Sequence, residues 1–71
     1  MTVGEKIKKY REHKGLSQKQ FAARINKQGY SFGQTALSNV EVGYRKPTQE
    51  FIDAFKQAFP NANTKRILTE N

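Results

Sequence analysis

The chain has no cysteine and no tryptophan, a single histidine, a single methionine and two prolines. Without cysteine no disulfide can staple the fold, and one histidine alone cannot build a structural metal site. Acidic residues are scarce, six Asp and Glu against thirteen Lys and Arg. The six acids are spread out and none pairs with a base at a recognisable spacing. No nucleophile has a base beside it, and Gly29 and Gly33 follow no strand, so neither a catalytic pair nor a phosphate-cradling loop is present. No apolar run approaches the roughly 18 residues that a membrane span requires. The N-terminus is too charged for a secretory leader. The expectation is a cytoplasmic protein that is not an enzyme, with no cofactor, no metal, no membrane partner and no small-molecule substrate.

What is present is a short, basic, helix-forming sequence. Seventy-one residues of which 35% are hydrophobic suit one small domain, residues 1–71, with a thin core. An all-helical fold with tight packing is the way such a chain can stand alone. The net charge of +7 points to an acidic partner, nucleic acid first. That charge is unevenly placed. Residues 1–27 hold eight Lys and Arg against two Glu, whereas residues 28–44 hold no Lys or Arg and one Glu.

Capping residues mark the helices. Thr2 with Glu5 three residues later, and Ser17 with Gln20, are capping-box patterns. Val3, Ile7 and Tyr10 give the first helix its buried stripe, and Gly15 ends it. Phe21, Ala22 and Ile25 line the second helix, where the small Ala22 permits close approach of a neighbour. His13 has no companion ligand and reads as a surface residue. Thr48 or the turn before it opens a fourth helix with an apolar stripe of Ile52, Phe55 and Phe59 and with Phe51 at its edge. Pro60 stops it, and Asn63 caps a last short helix over residues 64–69 with Ile67 and Leu68 inward.

The rest of the chain is organised around residues 33–47. Leu37 and Val40 share one helix face and Ala36 lies on the same side, so Gln34, Thr35, Ser38 and Asn39 are expected to point outward. This is a short third helix with an apolar underside and an uncharged, hydrogen-bonding outer face. Gly43 supplies its C-terminal cap, and Pro47 suits the start of the next helix.

This block resembles the third-helix signature of the phage repressor and Cro type of helix-turn-helix protein: a hydroxyl- and amide-rich helix ending in Glu41-Val42-Gly43, then Arg45-Lys46-Pro47-Thr48. Residues 3–11, Gly15-Leu16-Ser17-Gln18 and Phe21-Ala22 fit the family's first two helices. The resemblance implies an all-α, compact five-helix bundle with helix three as the reading element. It also implies a structural ion pair between Arg11 and Glu41, since members often pair these positions. Gln18 would either touch phosphate and steady the reading helix, as in the family, or simply cap the second helix. One departure stands out. Phe21 to Leu37 is longer than the usual spacing, which implies an extended turn between helices two and three. That turn carries Tyr30 and Phe32, which either plug it or serve as exposed anchors for a partner.

Two functions fit. In the first, the chain is a Cro-type regulator. Gln34, Thr35, Ser38 and Asn39 read operator DNA in the major groove, and Gln18, Tyr44, Arg45 and Lys46 hold phosphates. Any dimer would then use the helical domain itself, through helices four and five. In the second, the whole sequence resembles the small modulator-of-repression antirepressors of lactococcal temperate phages. That resemblance implies a lytic-lysogenic switch and, as partner, the N-terminal helix-turn-helix domain of the phage's own repressor. The helix-three face would bind it, with Tyr30, Phe32 and Tyr44 as aromatic contacts and Gln18, Arg45 and Lys46 meeting phosphate or acidic groups. The displaced basic charge and the enlarged turn favour this second reading.

Overall fold

Helices begin where the sequence places a capping oxygen. In the computed structural model, which describes residues 2–27 and 33–68, Thr2 opens α1 (Val3–His13) and Ser17 opens α2 (Gln18–Asn26), both as complete capping boxes. At the first, Glu5 accepts from the Thr2 amide at 3.2 Å and from its hydroxyl at 3.1 Å. These bonds hold the Glu5 carboxyl below the usual carboxylate range. Their contribution is therefore present at neutral pH and is lost as pH falls into that lowered range. Gly33 opens α3 (Gln34–Glu41) with no side-chain cap. Thr48 accepts from the Phe51 amide to open α4 (Gln49–Ala58), so Pro47 lies one residue ahead of the cap rather than inside the helix. Asn63 accepts from the Arg66 amide to open α5 (Thr64–Ile67), and Ile67 and Leu68 are half-buried. The described residues form five helices and no strand, and no helix among them is long and apolar enough to cross a membrane.

The helices close over one core. Val3 and Ile7 of α1, Phe21 and Ile25 of α2, Leu37 and Val40 of α3, and Phe51, Ala54, Phe55 and Phe59 at α4 are all buried. Ala22 is 3% exposed, small as close packing demands. Aromatic rings dominate the centre. Phe21 stacks on Phe59 with ring centroids 5.0 Å apart, Phe55 lies 5.7 Å from Phe21, and Tyr10 lies within 5.7 Å of both Phe55 and Phe59. Burying each such ring is worth roughly 1.5–3 kcal/mol, so a few phenylalanines carry much of a thin core.

The α4 stripe differs from the expected one. Phe51 is buried and Ile52 only half-buried, the reverse of placing Phe51 at the edge. The inward row runs through 51, 54, 55 and 58, spaced three and four apart, and Ile52 is turned 100° from its leading residue. Lys56 is exposed.

Between α2 and α3 the chain runs through residues 27–33. That is more than the three or four residues of a compact helix-turn-helix link. Tyr30 and Phe32, named as plugs or anchors of this segment, lie outside the described residues.

The close contact between α1 and α3 depends on Gly4. A Cβ built there would stand 2.2 Å from the Val40 carbonyl oxygen and 2.7 Å from that of Glu41. Both obstacles are main chain and cannot swing aside. Gly4 is buried in the first turn of α1, where alanine would be the better helix former, so backbone approach outweighs propensity here. Gly4→Ala should therefore destabilise the fold, by about 1–3 kcal/mol, despite the better helix former. Urea denaturation would read this as a lower midpoint with an unchanged slope; a gain in stability would show that α1 and α3 are free to separate.

Candidate functional site

The candidate site is α3 and the turn that follows it, residues 33–48. The underside of α3 fixes how the helix is presented. Leu37 is fully buried, Val40 nearly so, and Glu41 is buried with them. At 100° per residue these three positions span one arc, and Thr35 and Val42 fall on the opposite side.

Glu41 is anchored by three donors. Arg11 Nε donates to its Oε2 at 2.7 Å, and Arg11 Nη2 donates to its Oε1 at 3.2 Å. Gln18 Nε2 donates to the same Oε1 at 3.0 Å. Arg11 Nη1 turns the other way and donates to the Leu16 carbonyl at 2.8 Å. One buried carboxylate thus joins α1, the α1–α2 turn, α2 and α3. The hydrogen bond to Glu41 raises the Arg11 guanidinium above its ordinary range, so it stays charged at any accessible pH. Among the described residues no buried side-chain nitrogen or oxygen lacks a partner, the condition a buried ion pair needs to be tolerated.

Gln18 steadies the reading helix, as the family resemblance implies, through its bond to Glu41, and it does not cap α2. Ser17 and Gln20 complete the α2 cap, and the Gln18 amide is directed at Glu41 instead. Which residue it would hold was not legible locally, because the partner is 23 residues away.

The outer face is less uniform than its sequence pattern implies. Gln34 and Thr35 are exposed, but Ser38 and Asn39 are half-buried rather than fully outward. Ser38 stands 100° from Leu37, on the flank of the buried arc. Asn39 is overlapped by the chain after the helix, since its carbonyl accepts from the Tyr44 amide at 2.8 Å and the Arg45 amide at 3.2 Å. Tyr44, Arg45 and Lys46 are exposed. Val42, which drew no attention as a sequence position, is 70% exposed, and Tyr44 is 85% exposed. Among the described residues no group of three or more His, Cys, Asp or Glu could hold a metal ion. What the surface offers chemically is amide and hydroxyl hydrogen bonding, an apolar projection at the helix end, and two cations just beyond it.

If the Glu41 network sets the position of α3, Glu41→Ala should cost about 3–5 kcal/mol, because it leaves Arg11 buried without its counter-charge. Arg11→Ala should be similarly damaging, and the double substitution should cost clearly less than the sum of the two. Gln18→Ala, removing one hydrogen bond to a charged acceptor, should cost about 1.5–3 kcal/mol. Chemical denaturation of the four variants tests this; additive costs for Arg11 and Glu41 would show that the two act independently.

Residues 7–60 match a protein-family model described as helix-turn-helix, from the second turn of α1 to just past α4. No curated protein and no solved structure matches the chain. The match spans more than half of the 71 residues and contains α2, α3 and the network that joins them, so the chain belongs to the Cro/C1-type helix-turn-helix family of DNA-binding regulators.

Proposed function

We propose that this chain is an antirepressor of a phage genetic switch, acting as one helix-turn-helix domain over residues 1–71 in the cytoplasm of a bacterial host. It binds the N-terminal DNA-binding domain of the phage's repressor and keeps that domain off its operator. One observation carries this reading: α3, the element the family uses to read DNA, has no Lys or Arg, and its exposed positions Gln34 and Thr35 are uncharged. Affinity for DNA comes mainly from cations that neutralise phosphates. A face without them suits a protein surface, where polar groups make a rim around an apolar contact. The resemblance to the modulator-of-repression antirepressors supports the same partner. In this reading Gln34, Thr35, Ser38 and Asn39 meet the repressor domain, Tyr44 and the Tyr30–Phe32 segment add aromatic contacts, and Gln18, Arg45 and Lys46 meet acidic groups or phosphate.

The family match favours a second reading, direct operator binding of the Cro type. Gln34, Thr35, Ser38 and Asn39 would then contact base edges, with Arg45 and Lys46 on phosphates. Gln34→Ala should relax operator choice in that case, and unchanged specificity would count against base reading at this position.

A salt titration separates the two. Binding is measured in parallel against the repressor's N-terminal domain and the phage switch-region DNA. The antirepressor reading expects tight, weakly salt-dependent binding to the repressor domain and little affinity for DNA alone. A Cro-type contact with ~4–6 phosphates would lose on the order of 10²–10³-fold in affinity between 50 and 200 mM salt. Specific DNA binding with that slope, and no contact with the repressor domain, would overturn the antirepressor reading.

A further inference from the structure

The end of α3 is built as a rigid projection. Gly43 takes φ +87°, its amide donates to the Val40 carbonyl at 3.2 Å, and the Tyr44 amide donates to the Asn39 carbonyl at 2.8 Å. This pair of bonds, with glycine in the left-handed conformation between them, is a Schellman motif. Such a motif usually folds the residue after the glycine back onto the last helical turn, in apolar contact with the residue that accepts its amide bond. Here the accepting residue is Asn39, which is polar, and Tyr44 remains 85% exposed. Val42, at the C-cap of the same turn, is 70% exposed. Two large apolar side chains therefore stand in solvent on a main chain held by hydrogen bonds, and packing within the described residues does not account for their exposure.

The charge next to them along the chain has one sign. Arg45 and Lys46 follow directly and are exposed, whereas the nearest acid before them, Glu41, is buried and paired, and the next after them is Glu50. We infer that the Val42–Tyr44 turn is the principal anchor of this chain for a protein partner, and that it inserts against an aliphatic side chain ringed by carboxylates. The inference rests on the antirepressor reading and deepens it by naming where the binding energy concentrates. A tyrosine on a preorganised turn loses little conformational freedom on binding, which is why such residues form interface hot spots. A DNA backbone would be a poorer match, since it offers carboxylate-like charge without a pocket for the valine.

The test uses the full chain and the N-terminal domain of the phage repressor as probe, with switch-region DNA in a second titration. Tyr44→Ala is expected to weaken binding to the repressor domain by about tenfold or more, and Val42→Ser to weaken it less. Tyr44→Phe should retain near wild-type affinity because the ring is kept. Thermal midpoints should stay close to wild type, since both side chains are exposed. Arg45→Glu with Lys46→Glu should weaken binding at low salt, with the loss shrinking as salt rises. Wild-type binding that Tyr44→Ala leaves unchanged would overturn this anchor and leave the antirepressor reading intact. A wild-type chain that binds DNA and not the repressor domain would overturn both, even if Tyr44→Ala reduced the DNA binding.

Discussion

A carboxylate taken out of water must recover nearly all of its lost hydration from fixed donors, and Glu41 is such a group, with 1% of its side chain exposed. Its oxygens are met by Arg11 twice and Gln18 once, from two different helices. Apolar contacts are non-directional and tolerate sliding, whereas this arrangement does not, because a shift of α3 by a fraction of a turn would strand three donors. Gly4 adds a constraint of a different kind from the same helix, α1. Its lack of a side chain lets the main chains of α1 and α3 meet at Val40 and Glu41. The C-terminal half of α3 is thereby fixed both by charge and by steric exclusion. Its N-terminal end begins at Gly33 with no side-chain cap, and it is there that Gln34 and Thr35 are exposed.

The local parts of this scheme were legible in the sequence and the relational parts only partly so. Thr2 with Glu5, Ser17 with Gln20, Thr48 and Asn63 each act within three residues of themselves, so their spacing alone specifies a helix start. The Arg11–Glu41 pair was legible only through family resemblance, since nothing local links residues 30 apart. Gln18 stayed open between two roles for that reason: at a helix start a capping amide and a donor that steadies the reading helix look alike, and the bond to Glu41 decides for the second. Phe51 and Ile52 exchanged places because adjacent apolar residues leave the phase of a helical stripe ambiguous by 100°. Gly4 gave only an indirect sign, a glycine inside a helical pattern, which costs helix stability and so points to a packing reason without naming it. Val42 gave none. A valine next to a buried glutamate reads as core, and its exposure follows from the helix phase that Glu41 imposes.

That phase connects the fold to what the surface can bind. Family membership accounts for the scaffold, and a scaffold does not choose its ligand. The choice lies in the side chains that the Glu41 network turns outward. DNA recognition divides its labour between cations that supply affinity and hydrogen-bonding groups that supply sequence choice. On α3 the second set is present and the first is absent, and the nearest cations in sequence, Arg45 and Lys46, sit beyond the helix beside an exposed Val42 and Tyr44. Operator binding would therefore depend on cations outside the reading helix, drawn from that turn, from the lysine-rich α1, or from Lys19 and Arg24 of α2. A protein contact draws on what the helix and its turn already present: uncharged hydrogen-bonding groups at one end and an apolar projection at the other. The two readings thus differ in one physical quantity, the share of binding free energy carried by ion release. That share is set by which residues the buried Glu41 leaves facing outward.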